Sequence, residues 1–285
     1  MITPHIMLKR FRNVKTLPNV IMKISRLISD ENSTIQEIEE VIKLDPTLVM
    51  RLLRIVNSPY YGICQKVESI AKAVVFIGLK NLRTLIVMEG LKDLFKDNHQ
   101  STVFSRTKLW LHSAAVGICA RMISERIFQE KGDDAFLAGI LHDIGMIVED
   151  QVVQDLFLQA CSAYRPGVKS ITEYENEIIG THHCEVGYLL ASEWNLPYEI
   201  QDAIKNHHTL LREESSSRLA KIIQTAGCIV TKIGYPAIQG IEEKLSPSLV
   251  PGINNMADEY RTLIKDLPDE IEKAKELYET QAEGI

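Results

Sequence analysis

Histidine and aspartate side chains concentrate in one part of this 285-residue chain, where they could together bind a metal. Six of the eight histidines lie between residues 112 and 208, and several fall on apolar helical stripes. An aspartate on a core-facing stripe is costly to bury unless it is paired, hydrogen-bonded or bound to a metal. Imidazoles and a carboxylate that converge inside a helical bundle suit a divalent transition metal such as iron, manganese, nickel or zinc. The candidate ligands are His112, His142, Asp143, His183, His207 and His208.

The same side chains have a second explanation. A lone histidine on an apolar face is usually a core residue whose hydrogen bonds are satisfied, so the set could instead be a structural polar cluster. Residue chemistry alone leaves these two interpretations, a metal site (present or vestigial) and a structural cluster, equally open. His5 and His99 lie outside the set. His182 is predicted to be the exposed neighbour of His183, because adjacent helical positions diverge by about 100°.

Helices must position these side chains, since apolar residues recur every three or four positions from end to end. Leu109, His112, Val116 and Cys119 follow this spacing, and no segment alternates with period two for long. The pattern predicts an all-α fold. Glutamates at 173–177 are predicted to form a polar surface turn. The longer predicted helices cover about 103–130, 134–149, 151–163, 183–194, 198–208 and 216–233.

Local signals predict where the N-terminal helices begin. Apolar positions within residues 17–30 predict a first helix. Ser33 and Gln36 have the spacing of a capping box ahead of the next helix. Asp45-Pro46 combines an N-cap residue with a proline at the first helical position, which predicts the start of a third helix.

The domain organisation is predicted to have three parts. An N-terminal helical subdomain covers 1–97, a larger helical bundle covers 98–235, and a C-terminal helical extension covers 236–285. The polar stretch from Lys96 to Ser101 marks the first boundary. The second precedes a proline- and glycine-containing stretch and an acidic pair of helices.

Composition and charge exclude several function classes. A net charge of −6 and a pI near 5.8 argue against a nucleic-acid partner, because phosphate binding usually needs a clustered basic excess. Apolar runs stay well short of the ~18 residues of a spanning helix, and the start MITPHIMLKRFRN lacks a secretory signal, so we expect a cytoplasmic protein with no membrane partner. The five widely spaced cysteines are predicted to be small buried hydrophobes.

Several motifs resemble a known family. Residues 138–146, AGILHDIGM, look like the His-Asp signature of the HD superfamily of metal-dependent phosphohydrolases. The longer segments resemble the HDOD family, the HD-related output domain of bacterial signalling proteins, over about residues 15–235. HD hydrolases at large lack the Asp-Pro…Asn-Ser-Pro-Tyr-Tyr-Gly segment. The matching segments are LPNVIMKISRLISD at 17–30, LDPTLVMRLLRIVNSPYYG at 44–62, SIAKAVVFIGLKNLRTLIV at 69–87 and GTHHCEVGYLLASEWNLPYEIQDAIKNHH at 180–208.

The resemblance implies an N-terminal helical subdomain packed on an HD-like helical bundle, and it assigns a metal site. His142 and Asp143 match the signature pair, and His183 matches the histidine of a Gly-x-x-His-x-x-Val-Gly segment. His112 matches the histidine of the first bundle helix. The paired histidines of the family correspond to His207 and, as a further candidate, His208.

The chain departs from the family pattern at several positions. The family's late aspartate ligand is expected where this sequence has Gly227. In the related HD-GYP phosphodiesterases a Lys follows the signature Gly and a Glu follows the paired histidines, where this chain has Met146 and Thr209. The tripeptide Gly-Tyr-Pro does occur at 234–236, but it lies well past the paired histidines and we treat it as a coincidence.

The absence of the late carboxylate and of the lysine favours a non-catalytic protein. A missing carboxylate ligand weakens a dication site, and the missing lysine removes a candidate clamp for phosphate. The resemblance therefore implies a bacterial signal-transduction output module that acts through a signalling protein partner or a small-molecule ligand. The alternative is a metal-dependent phosphohydrolase or phosphodiesterase that acts on a nucleotide or a cyclic dinucleotide. The sequence alone does not decide whether the chain is an enzyme.

Overall fold

The computed structural model of the chain describes residues 2–14, 23–24, 27, 33–58, 61–91, 94–96, 101–209 and 217–279. The predicted helix within 17–30 and the boundary stretch from Lys96 to Ser101 lie mostly outside the described residues. None of the helices that are described combines the length and apolar character that a bilayer crossing requires.

The described residues are helical, and they contain no β-strand, only an isolated bridge between Phe104 and Ile238. The all-α prediction is confirmed. A π-helical turn at Ile123–Ile127 extends α5. In chain order the helices are α1 (Pro4–Val14), α2 (Ile35–Ile42), α3 (Pro46–Val56), α4 (Ile70–Leu91), α5 (Arg106–Met122), α6 (Asp133–Leu141), α7 (Ile144–Val152), α8 (Gln154–Ala163), α9 (Ile171–Ile178), α10 (His183–Glu193), α11 (Tyr198–Asn206), α12 (Arg218–Lys232), α13 (Leu249–Asn255) and α14 (Ala257–Glu279).

The chain forms two compact units. One unit comprises Met1–Thr16 and Asp93–Lys265, and the other comprises Leu17–Lys92 and Asp266–Ile285. The predicted three-part division was drawn along the chain and stays a prediction. All the candidate ligands belong to the first of these units.

In the second unit, polar side chains fix both ends of α3. The Asp45 carboxylate accepts a hydrogen bond from the Leu48 amide at 3.0 Å, and Pro46 occupies the first helical position, as predicted. Beyond the helix, the Asn57 side chain donates to the Val67 carbonyl at 2.8 Å and accepts from the Val67 amide at 2.7 Å. The side chains of Asp45 and Asn57 therefore have structural partners.

The predicted capping box at Ser33 and Gln36 is wrong by one residue. Thr34 caps α2, and its hydroxyl accepts from the Glu37 amide at 3.2 Å. The Glu37 carboxylate accepts in return from the Thr34 amide at 2.7 Å. A charged acceptor makes a stronger hydrogen bond than the amide of Gln36 would, which favours the observed register.

Two further predictions about helices are wrong. The predicted single helix at 134–149 is broken at His142-Asp143 into α6 and α7. The glutamate-containing segment at 173–177, predicted as a surface turn, lies in α9. A capping box of Ser170 and Glu173 begins this helix, so the sequence did carry a signal for it.

In the first unit, α5 and α6 approach each other at two glycines. A Cβ built on Gly139 would lie 2.5 Å from the Gly117 Cα atom, a distance at which something must shift. His142 lies three residues beyond Gly139, about one helical turn away. The close approach brings the His112 and His142 rings to a centroid distance of 5.2 Å.

A buried ion pair joins the start of α5 to α7. Arg106 Nε and Asp150 Oδ2 are 2.6 Å apart, and each residue is only 1% exposed. Breaking such a pair leaves an uncompensated buried charge and typically costs about 3–5 kcal/mol. This contact therefore constrains how α5 and α7 present their side chains to the bundle interior.

Residues 234–246, here called the closing segment, run from the end of α12 across the bundle. The Glu242 amide donates to the Tyr164 hydroxyl at 3.1 Å. The Ser246 amide donates to the Gln224 side-chain oxygen at 3.1 Å. These contacts hold the closing segment against α8 and α12, although it has no regular helical structure of its own.

Replacing Gly139 tests the contact between α5 and α6. Gly139→Ala is expected to lower the free energy of unfolding by about 1–3 kcal/mol, because its Cβ would collide with the Gly117 backbone. The matched control is Gly227→Ala in α12, where a built Cβ has no atom within 4 Å. Urea denaturation followed by circular dichroism measures both. Equal stabilities would contradict the close packing at Gly139.

Candidate metal centre

The carboxylate of Asp143 lies among four imidazoles. Its Oδ2 atom is 3.2 Å from His142 Nε2 and 3.7 Å from His112 Nε2. Its Oδ1 atom is 3.4 Å from His183 Nε2 and 3.3 Å from His207 Nε2. Each of these five residues is at most 3% exposed. The structure thus brings together five of the six residues that the sequence suggested as ligands.

Four separate parts of the bundle position these side chains. His112 projects from α5, His183 is the first residue of α10, and His207 follows the last residue of α11. Asp143 occupies the N-cap position of α7 but makes no side-chain capping hydrogen bond there. An aspartate at this position usually accepts from the helix amides. Here its carboxylate faces the imidazoles instead.

The second nitrogen of each imidazole is held by an acceptor. Because a carbonyl oxygen can only accept, the Nδ1 atom facing it must carry the hydrogen, and the Nε2 atom of a neutral ring then presents its lone pair. Metal-binding histidines in proteins are held in this way. The Nδ1 contacts to backbone carbonyls are His112 to Tyr235 at 2.6 Å, His142 to Gly139 at 2.7 Å and His207 to Ile204 at 2.8 Å.

His183 is held by a buried carboxylate. Its Nδ1 atom is 2.7 Å from Glu175 Oε2, and its backbone amide donates to the same oxygen at 3.1 Å. Glu149 lies behind this pair, and burial together with the charge of Glu175 raises its pKa well above the ordinary value. Glu149 is therefore held protonated at neutral pH, and the carboxyl group of Glu175 orients His183 through its contacts with Nδ1 and the backbone amide.

Two buried polar atoms in this cluster have no hydrogen-bond partner among the described residues. These atoms are His112 Nε2 and Asp143 Oδ1. Lone pairs of neutral imidazoles repel a carboxylate at 3–4 Å, whereas a cation between them would be attracted to both. Donor atoms of His112, His142 and Asp143 all lie within 4.8 Å of one another. The residues present therefore fit a bound metal ion.

The protonation states of the candidate ligands also suit metal binding. Burial lowers the pKa of His112, and burial with the charge of His208 lowers the pKa of His207 to about 3. Burial alone would raise the pKa of Asp143, but the charge and hydrogen bond of His142 together with the hydrogen bond of His207 outweigh it and hold that pKa well below its ordinary value. Burial acts to lower the pKa of His142, yet the charge and hydrogen bond of Asp143 raise it. At neutral pH His112 and His207 are neutral and Asp143 is ionised, as metal binding requires, and a bound metal would displace the proton from His142 Nε2.

His208 is placed differently from the other candidate ligands. Its ring packs 4.3 Å from the ring of His207, but its Nδ1 atom faces Glu243 Oε2 at 3.4 Å instead of Asp143. Burial acts to lower the pKa of His208, yet the Glu243 charge raises it to about 9. Burial likewise opposes ionisation of Glu243, and the His208 charge lowers its pKa to about 2. The two form an ion pair beside the centre.

Sequence reasoning missed or misassigned several neighbours of the site. The sequence predicts Glu175 to lie in a surface turn, but in the structure its side chain is fully buried against His183. Cys184 is buried as predicted, yet its Sγ atom lies 3.4 Å from His183 Nε2. Cys64 contradicts the prediction for the cysteines because it is exposed. His182 is half-buried, not exposed.

Gly145, two residues after the His-Asp pair, allows α7 and α10 to touch. A Cβ built there would lie 2.0 Å from the His183 carbonyl oxygen. Any side chain at this position would push the start of α10, and with it His183, away from Asp143. Position 227 is different, since a Cβ there would meet no atom of the described residues within 4 Å. Among the described residues, the missing carboxylate at Gly227 thus leaves open space.

In this helical bundle a His-Asp pair lies at a helix break, and imidazoles from three other helices surround the pair. This arrangement defines a protein of the HD-like class. The HDOD domain model matches residues 14–210. The chain belongs to the HDOD domain family.

The chain is similar at low identity to a protein known from its sequence. A protein of uncharacterised function from Treponema pallidum (strain Nichols) is 27% identical over 208 residues, which cover 70% of this chain but only 39% of that relative. The chain thus spans about two fifths of that relative's length.

Two solved structures have the same fold. A candidate phosphohydrolase from Shewanella amazonensis SB2B is 22% identical, with a TM-score of 0.66 and coverage of 94% of this chain and 93% of that one. A candidate signal transduction protein from Marinobacter aquaeolei VT8 is 19% identical, with a TM-score of 0.69. The match covers 94% of this chain and 59% of that one. At these identities the likeness shows the fold alone.

The ion pair of His208 and Glu243 predicts a pH dependence of the metal-free protein. The pKa of His208 rises from 6.5 to about 9, so its stabilisation is complete below pH 6.5 and is lost as pH rises through 9. The pKa of Glu243 falls from 4.5 to about 2, so its stabilisation is complete above pH 4.5 and is lost as pH falls through 2. The pair therefore stabilises the fold most between pH 4.5 and 6.5.

The measurement compares chelator-treated wild type with His208→Gln at pH 6 and pH 9. Wild type is expected to lose about 1–3 kcal/mol more unfolding free energy over this range than the variant does. Urea denaturation at each pH gives the four values. An identical loss in both proteins would show that His208 is not the titrating group.

Proposed function

We propose that this chain is a regulatory HDOD module that holds a divalent transition metal in its buried His/Asp centre and acts without catalysis, through contact with a signalling protein partner. The observation that supports this proposal is the convergence of four imidazole Nε2 atoms on the Asp143 carboxylate. The Nδ1 contacts already described fix each ring in the orientation that a metal ligand needs.

Five side chains would hold the ion: His112, His142, Asp143, His183 and His207. A mainly imidazole environment suits iron, nickel or zinc, and the carboxylate also admits manganese. When bound, the metal would supply positive charge to the pocket. His208 would remain beside the centre as the partner of Glu243.

The burial of the centre favours a regulatory role over hydrolysis. Hydrolysis of a phosphoester requires that the substrate reach the metal and that positive groups hold the phosphate as charge develops. The five donors are at most 3% exposed, and every described ion-pair partner of Asp143 is an imidazole. Met146, which stands where the HD-GYP relatives carry a lysine, is a fully buried apolar side chain.

A metal at this position would tie separate helices together. The donors come from α5, from the break between α6 and α7, from the start of α10 and from the end of α11. Binding to such a site adds directly to folding free energy, by about 2.7 kcal/mol when the free metal is at 100 times its dissociation constant. Occupancy of the site would thereby set the rigidity of the surface that a partner protein contacts.

The alternative function is a metal-dependent phosphohydrolase that acts on a nucleotide or a cyclic dinucleotide. One observation favours it: the His-Asp pair and three further histidines are all in place, and a metal they hold would be able to activate water. Turnover of such a substrate separates the two functions.

Metal binding is tested with the purified protein. Dialysis against zinc, manganese, iron or nickel followed by elemental analysis is expected to give bound metal in wild type, and chelator is expected to lower its melting temperature. Asp143→Asn should lose the metal, because the buried carboxylate is the centre of the donor set. Asp155→Asn, an exposed aspartate on α8, is the matched control and should bind metal as wild type does.

The same preparations are assayed for turnover of a model phosphodiester and of cyclic dinucleotides, with manganese or iron added. No turnover above the protein-free rate is expected. Turnover by wild type that Asp143→Asn abolishes would refute the non-catalytic proposal and establish the hydrolase. Wild type that binds none of the metals would refute the metal-binding part.

The contact between Glu175 and His183 predicts a second effect on metal binding. Glu175→Gln replaces the carboxyl group that contacts His183 Nδ1 with an amide and so loosens the orientation of the ring, and we expect metal affinity to fall by about 10–100-fold. Glu177→Gln changes an exposed glutamate of the same helix and should leave affinity within about twofold of wild type. Competition with a chromophoric chelator measures both. Equal affinities would exclude an orienting role for Glu175.

A further inference from the structure

With a dication bound, the donor set around Asp143 would carry an excess of positive charge. The donors themselves, four neutral imidazoles and one carboxylate, supply one negative charge, and the carboxyl group of Glu175 stands behind His183 on the far side of that ring. The donors are buried, and an uncompensated charge in such a place is costly. The family pattern balances the charge with a second carboxylate, and this chain has Gly227 there.

A second carboxylate reaches the same neighbourhood from another part of the chain. Glu243 lies on the closing segment, and its side chain is 11% exposed. Its Oε2 atom is 3.4 Å from Nδ1 of His208, and the ring of His208 packs 5.1 Å from that of His183. An acidic side chain that is nearly buried beside the histidine cluster needs a reason to be there.

The backbone of Glu243 is held next to the position of the missing carboxylate. The Sγ atom of Cys228, the residue after Gly227, lies 3.6 Å from the Glu243 carbonyl oxygen. The hydrogen bonds at Glu242 and Ser246 fix the closing segment on either side. The space beside Gly227 is open, since a Cβ there would have no atom within 4 Å.

We propose that Glu243 is the second acidic group of this metal centre: its carboxylate pairs with His208 in the metal-free protein and would, in competition with that pairing, compensate a bound dication in place of the carboxylate that is absent at position 227. The inference rests on the proposed function, because it concerns the same metal. The inference goes beyond the proposed function because it assigns a role to Glu243, a residue that matches no position of the family motif.

The test is a double-mutant cycle on metal affinity. Zinc and manganese affinities are measured by competition with a chromophoric chelator for wild type, Glu243→Gln, Gly227→Asp and the variant that carries both changes. Glu242→Gln, the exposed neighbour, is the matched control because it removes the same charge from the same segment. Circular dichroism of the chelator-treated proteins checks that each variant is folded.

The expected result is a loss of at least about tenfold in affinity for Glu243→Gln, with Glu242→Gln within about twofold of wild type. Gly227→Asp should change the wild-type affinity little but should restore most of the affinity in the Glu243→Gln background. The two positions then show strong coupling, as expected when either carboxylate can fill the same role. The open space beside Gly227 admits the new side chain.

Three results would overturn the inference. If Glu243→Gln binds metal as tightly as Glu242→Gln, the second acidic group is not Glu243, and the proposed function stands. If the effects of Glu243→Gln and Gly227→Asp are simply additive, Glu243 stabilises only its pair with His208. If wild type binds no metal, both the inference and the metal-binding part of the proposed function fail. Should Glu243→Gln not fold, Glu243→Asp takes its place, and undiminished affinity after this shortening overturns the inference.

Discussion

A carboxylate buried among four imidazoles is the constraint on which the rest of this structure depends. Asp143 is ionised although its residue is only 2% exposed, and its ion-pair partners among the described residues are Nε2 atoms at 3.2–3.7 Å. Isolated, such a charge would cost several kcal/mol to bury. The cost is tolerable only if positive charge enters the pocket, as protons on the imidazoles or as a metal ion. The Nδ1 contacts direct every Nε2 atom inward, which favours the metal.

The surrounding fold is arranged so that this cluster can form. Gly139 lets α6 contact α5, and Gly145 lets α7 contact α10. At both positions the backbones are so close that a Cβ atom would collide with them. Glu175, itself buried, fixes His183, and the carbonyl of Tyr235 in the closing segment fixes His112. The stability of the bundle and the geometry of the centre therefore depend on the same contacts.

The sequence predicts the candidate site better than its surroundings, for a physical reason. The candidate ligands lie on helical stripes and in a short motif, both of which are local patterns, so the cluster of His112, His142, Asp143, His183 and His207 could be proposed in advance. The break between α6 and α7 could not, because apolar spacing continues through His142-Asp143 without a proline, and Asp143, although it stands at the N-cap, makes no capping hydrogen bond. Glu175 and Glu243 could not either, since their partners lie 8 and 35 residues away and only tertiary packing joins them. The tripeptide at 234–236 was set aside as a coincidence, and its Tyr235 carbonyl nevertheless holds His112.

Anomalous X-ray scattering tests the central claim most directly. Crystals would be grown without chelator, from protein supplied with zinc, iron, manganese or nickel, and diffraction recorded on both sides of each metal's absorption edge. The account predicts an anomalous peak within coordination distance, about 2.0–2.3 Å, of Asp143 and of the Nε2 atoms that face it. Density that shows these side chains in direct contact with each other, with no anomalous peak at any of the four edges, would contradict it.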